Sequence, residues 1–149
     1  MTGFAGLTIN GIDADDNSGT SVSGAGDVNG DGIDDLIIGA DAADPGGDSG
    51  AGETYVVFGV DGAAGETFPA TLDLATLNGT NGFVLEGIDP GDASGFSVSG
   101  AGDVNGDGID DLIVGAFNAD PGGDSNAGET YVVFGVDGAA GEAFPATFD

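Results

Sequence analysis

The chain has 149 residues, enough for one domain with an adequate core, and carries 27 acidic side chains with no Lys, Arg or His, a formal net charge of −27. Cys and Trp are absent as well, which excludes disulfides, thiolate or imidazole metal sites, a Ser-His-Asp triad, a Schiff-base lysine and an arginine phosphate clamp. Nothing in the chain can neutralise nucleic-acid phosphates, and no apolar run approaches membrane-spanning length, so neither nucleic-acid binding nor membrane insertion is expected.

Hydrophobic residues make up 40% of the sequence and lie in compact blocks, the mark of a folded chain under strong self-repulsion. Dissolved cations are the only available remedy. The start, "MTGFAGLTING", has neither a basic nor an apolar leader region, so no signal peptide is expected, as befits a mature or excised segment.

In chain order, the first apolar segment is Gly6–Ile12. Four short strands follow between Gly-rich turns: Thr20–Ala25, Asp35–Ala40, Glu53–Gly59 and Gly82–Ile88. Leu36-Ile37-Ile38 and Tyr55-Val56-Val57-Phe58 are unbroken apolar runs, so their strands are expected to be buried on both faces, each small sheet sandwiched between neighbours. Asp44–Glu53 reads as a hairpin connection. Asp61–Asn81 reads as a long crossing with at most one helical turn in "LDLATLNG".

The pattern then repeats. Gly11–Asp73 aligns with Gly87–Asp149 with only ten differences over 63 positions, so the chain reads as two units, 1–76 and 77–149. The ends are unequal. The second unit has no fourth strand after it, whereas Gly6–Ile12 matches the fourth strand Gly82–Ile88 and has no unit before it. The expectation is that Gly6–Ile12 of one copy pairs in trans with Glu129–Gly135 of the next.

Between the first two strands of each unit lies Asp-x-Asn-x-Asp-Gly-x-x-Asp: Asp27, Asn29, Asp31, Gly32 and Asp35, then Asp103, Asn105, Asp107, Gly108 and Asp111. Alternate positions point three side-chain oxygens inward, Gly permits a sharp turn, and the carbonyls of Ile33 and Ile109 can add ligands. Such an oxygen-only set suits Ca²⁺. An EF-hand would need Glu at position 12, where Ile38 and Val114 stand, so this is a calcium loop closing into a β-hairpin. A solvated Asn-Gly turn is the plainer alternative. Asp34 and Asp110, at position 8, are expected to face solvent. The acidic turns Asp13–Gly19 and Asp89–Gly95, and the pairs Asp44 with Asp48 and Asp120 with Asp124, are expected to be solvated turns rather than further cation sites. Tyr55 and Tyr131 are expected to pack between sheets, and Asn78-Gly79-Thr80 is a glycosylation sequon. Paired carboxylates are plentiful, but they lie in polar turns that give no reason for a raised pKa, so no enzyme is expected.

"SVSGAGDVNGDGIDDLIIGA" followed by "ETYVVFG" resembles the FG-GAP repeat of integrin α-subunit propellers and many bacterial surface proteins. The resemblance spans nearly the whole chain. It implies an all-β fold of two four-stranded antiparallel propeller-type blades, each with a calcium-binding hairpin loop. It also implies two Ca²⁺ per chain, held by Asp27, Asn29, Asp31, Ile33 (main chain) and Asp35, and by Asp103, Asn105, Asp107, Ile109 (main chain) and Asp111. The chain departs from the family pattern at Gly19-Thr20 and Gly95-Phe96, and at Gly39-Ala40-Asp41 and Gly115-Ala116-Phe117. Two blades cannot close a ring, so the expected partners are other copies of the chain, completing an extracellular or cell-surface ring or filament. The alternative is a fragment of a larger adhesin whose loops bind a protein or glycan.

Overall fold

A computed structural model describes residues 6–148. Ten strands run in order: β1 (Thr8–Asn10), β2 (Ser21–Gly26), β3 (Asp35–Ala40), β4 (Glu53–Val57), β5 (Thr71–Asp73), β6 (Gly82–Glu86), β7 (Ser94–Gly102), β8 (Asp111–Ala116), β9 (Glu129–Val133) and β10 (Thr147–Phe148). The only helical elements among the described residues are short 3-10 turns, so the expected all-β class holds. β2, β3, β4 and β6 coincide with the four expected strands to within one or two residues at their ends, and β7, β8 and β9 repeat the first three in the second unit.

β2, β3, β4 and β6 form an antiparallel meander, with Ile38 opposite Tyr55 and Tyr55 opposite Val84. This sheet does not stop at the expected four strands. β10, from the end of the second unit, adds a fifth in parallel outside β6, giving the order β10-β6-β4-β3-β2. The β7-β8-β9 sheet has three strands, and β1 pairs with β5 as a separate parallel ribbon.

The fifth strand corrects the reading of the crossing segment. Its helical turn is present at Leu74–Thr76, capped by the Asp73 carboxylate, which accepts from the Ala75 N–H at 3.1 Å. Immediately before it, Thr71–Asp73 is extended. Three residues are too few for alternation to show in a sequence, and what orders them is the neighbouring edge, whose backbone groups need partners. The same device recurs one unit later. Thr8 faces Thr71 and Ile9 faces Leu72, while Val84 faces Thr147 and Leu85 faces Phe148, every position shifted by 76. β1–β5 is therefore the counterpart, one unit earlier, of the outer two strands β6 and β10 of the five-stranded sheet.

The five-stranded sheet is covered on its back and over much of its front, where Leu36 and Val22 stay exposed; the burial on both faces expected of the apolar runs is not met in β8 and β9, whose Ile113 and Val132 are exposed. Ile38, Tyr55, Val57 and Leu74 on its front pack against Ile9 and Leu72 of the ribbon. Ile37, Val56, Phe58 and Phe83 on its back pack against Leu112, Val114 and Phe144 of the second unit. Phe83 and Phe144 stack with centroids 4.1 Å apart, and large apolar side chains of this kind dominate the energy of a small core. Tyr55 lies fully buried between sheet and ribbon, as expected, with its hydroxyl donating to Glu53.

Candidate metal centre

Each Asp-x-Asn-x-Asp-Gly loop joins the first two strands of its sheet and is curled by its own carboxylates. The two Asp27 oxygens accept from the N–H groups of Asp31 (3.0 Å) and Gly32 (2.8 Å). Asn29 Oδ1 accepts from the Asp31 N–H at 2.9 Å, and Asp31 Oδ1 from the Ile33 N–H at 2.9 Å. Gly32 has φ +87°, where a side chain would be strained. Asp103, Asn105 and Asp107 repeat the pattern, with Asp103 accepting from Asp107 and Gly108 and Asp107 from Ile109. Each loop is thus curled by the side chains of its residues 1, 3 and 5, which accept from its own backbone N–H groups.

The ninth residue behaves differently. Asp35 is buried at the start of β3, with one oxygen accepting from the Val28 N–H (3.0 Å) and the other from the Gly59 N–H (2.8 Å). Asp111 does the same with Val104 (2.8 Å) and Gly135 (2.9 Å). Both therefore tie the loop to the end of the third strand of their sheet. Each carboxylate oxygen keeps a second lone pair, so a cation and the amides can share the group.

Among the described residues, no group of three or more acidic side chains is arranged to hold a metal ion, and this includes Asp27, Asp31 and Asp35 and their counterparts Asp103, Asp107 and Asp111. The donor set foreseen, three carboxylates with an amide and a main-chain carbonyl, suits a hard cation in atom type, because every atom offered is oxygen. Burial, opposed by the two backbone hydrogen bonds, raises the Asp35 carboxyl to about 6, and the charges of Asp31 and Asp27 add to the rise. No basic side chain exists to relieve that crowding.

The position-8 residues divide. Asp34 is exposed, as expected, but Asp110 is not the solvated residue foreseen. Its Oδ2 accepts from the Asp27 N–H at 3.1 Å, and its own N–H donates to the Asp27 carbonyl at 3.2 Å. The first loop is gripped further by Val136, whose N–H donates to the Val28 carbonyl (2.9 Å), and by Gly138, donating to the Asn29 carbonyl (3.0 Å). A Cβ on Gly26, whose φ is +75°, would lie 2.1 Å from Asp110 Oδ2. Local sequence offers no signal for this, because Asp34 stands in an identical stretch without the contact.

The other acidic segments are turns but not all solvated as foreseen, since Asp16 and Asp92 are buried. Asp44 accepts from the Gly50 N–H at 2.7 Å, and Asp16 from the Asp13 N–H at 3.3 Å. Burial raises the Glu53 carboxyl, partly offset by the Tyr55 hydroxyl, and burial likewise raises Asp92. A feature missed in the sequence is a surface pair in the second unit: Phe96 and Phe117 lie 4.5 Å apart between centroids and are both exposed. They replace Thr20 and Asp41, two of the ten differences between units.

A family model described as FG-GAP repeat matches residues 18–57 and 94–133, together just over half of the chain. The first match begins shortly before β2 and the second with β7, and they end with β4 and β9, so each takes in one loop and the three strands around it. Among curated proteins no relative matches. No helix among the described residues is long and apolar enough to cross a membrane.

Proposed function

The chain belongs to the FG-GAP repeat family, and from that premise we propose that it is a calcium-stabilised structural protein of the extracellular space or cell surface that assembles with its own copies. One Ca²⁺ per loop would be held by Asp27, Asn29, Asp31, the Ile33 carbonyl and Asp35, and by Asp103, Asn105, Asp107, the Ile109 carbonyl and Asp111. The ion fixes the hairpin and lowers the self-repulsion of an entirely acidic chain. An extracellular setting suits the reading because modules of this kind bind calcium at millimolar concentration.

The observation that carries the assembly reading is strand arithmetic. β7–β9 is the inner three strands of a blade and β1–β5 the outer two, and together they equal the five-stranded sheet already present between them. Among the described residues β9 pairs only with β8. An apolar groove of about 220 Å³ runs beside it, lined by Leu85, Val114, Tyr131, Val133 and Phe148. One unit earlier, Val84, Leu74 and Leu77 pack at the corresponding place.

Transposing the β4–β6 register by 76 puts Glu129 opposite Asn10, Thr130 opposite Ile9 and Tyr131 opposite Thr8 of a second copy. Such a contact is head-to-tail. It closes into a propeller-like ring if the rotation per chain divides a full turn, and otherwise grows as a filament. Light scattering and electron microscopy of the chain with Ca²⁺ and with EGTA test the proposal. Large particles that disperse in EGTA, and that are lost on deletion of residues 1–12, are expected; a folded monomer indifferent to EGTA would refute it.

A second reading, an adhesin-type module binding a protein or glycan, is favoured by one observation, the exposed Phe96–Phe117 pair present in only one unit. Paired exposed aromatics suit recognition.

A further inference from the structure

The joint between the two units shows what each unit does with its back face. Val28, Ile37, Val56 and Phe58 are buried there against the second unit, yet their counterparts Val104, Ile113, Val132 and Phe134 are exposed. The contrast is large for identical residues: Val28 is 0% exposed and Val104 56%, Phe58 8% and Phe134 54%. The front face shows the reverse. Leu112 is fully buried and Val98 packs against the same core, whereas Leu36 and Val22 are exposed. Asp110 is locked onto Asp27, while Asp34 faces solvent.

We propose that the back of the β7–β9 sheet, with the outer side of the Asp103–Asp111 loop, is a docking surface for the front of β2–β3 in a second copy, and that Asp34 is the polar key of that joint. The proposal rests on the head-to-tail reading above and specifies the surface it uses. The occupant is a copy of this chain because the joint inside it is a template with known partners. Shifted by 76, the template places the Asp34 carboxylate on the Asp103 N–H. It also places the Val60 N–H on the Val104 carbonyl and the Gly62 N–H on the Asn105 carbonyl. Leu36 and Val22 then cover Ile113, Val132 and Phe134, as Leu112 and Val98 cover Ile37, Val56 and Phe58.

Asp34 thus has a role that its solvated position hides, as the intermolecular twin of Asp110. The surface is continuous with the strand joint, since β1–β5 of the second copy would extend the same β7–β9 sheet whose back Leu36 and Val22 cover. Burying the exposed aliphatic and aromatic side chains drives the contact, and Asp34 sets its register.

The test is sedimentation velocity across a concentration series in saturating Ca²⁺, comparing the parent chain with Asp34→Ala, Phe134→Ser and Asp110→Ala. Asp34→Ala and Phe134→Ser each raise the concentration of half-assembly about tenfold or more. They leave the melting temperature of the dilute monomer and its calcium stoichiometry unchanged, because both side chains are exposed in the single chain. Asp110→Ala instead lowers the melting temperature of the monomer. If both exposed-site variants assembled like the parent, the docking surface would be wrong, while the strand-addition reading would stand on its own deletion test. A parent chain that stayed monomeric at every concentration would overturn both.

Discussion

Asp35 and Asp111 tie each loop to the end of the third strand, and both are buried. Replacing Asp35 with Asn leaves one acceptor for two donors and strands a buried N–H, a loss of about 1–3 kcal/mol. Chemical denaturation of Asp35→Asn in EGTA should show it, and calcium titration of the same variant should find one site weakened and the other intact. Glu53 gives a pH prediction of the same sign as Asp35, and substitution separates the two. The folded-state pKa of Glu53 is raised from an ordinary value of 4.5, chiefly by burial, with the charges of Glu86, Asp16 and Asp13 contributing. A carboxyl raised in the folded state binds its proton there before the unfolded chain does. Its stabilising contribution is therefore full below the unfolded pKa and is lost as pH rises through the folded one. Thermal melts in EGTA should fall as pH rises above the ordinary glutamate range, and Glu53→Gln should reduce that slope.

At the scale of the element, β10 and the Phe cluster hold the two units together. Phe83 is fully buried against Phe58, Phe144 and Phe148. Phe83→Ala should cost about 3–5 kcal/mol, read as a lowered denaturation midpoint for both units at once. The same elements mark how far the sequence could be read. β2, β3, β4 and β6 were legible because turn residues bracket long apolar blocks such as Leu36-Ile37-Ile38, and the loops because Asp, Asn and Gly recur at fixed offsets. β5 and β10 were not, since strands of three and two residues carry no period and form where β1 and β6 offer an edge. Asp110 escaped for the same reason, being distinguished from Asp34 only by what stands next to it. The Phe96–Phe117 pair was visible as two substitutions, but their adjacency depends on β7 lying beside β8.

At the scale of the molecule, a chain with 27 acidic groups and no basic side chain must stack sheets whose loops carry much of that charge. Compaction of such a chain is opposed by self-repulsion, so whatever cations it binds act on the whole fold and on each joint between blades. The Asp27–Asp35 loop shows the link: its backbone carbonyls receive Val136 and Gly138 of the next unit, so an ion that fixes the loop also fixes the joint. Calcium is the claim on which the rest depends, and isothermal titration of the chelator-treated chain with CaCl₂, paired with melting in Ca²⁺ and in EGTA, tests it most directly. Binding of two Ca²⁺ per chain, with a melting temperature that climbs as the sites fill, is the result the account predicts. An absence of binding heat together with identical melting in Ca²⁺ and EGTA would contradict it.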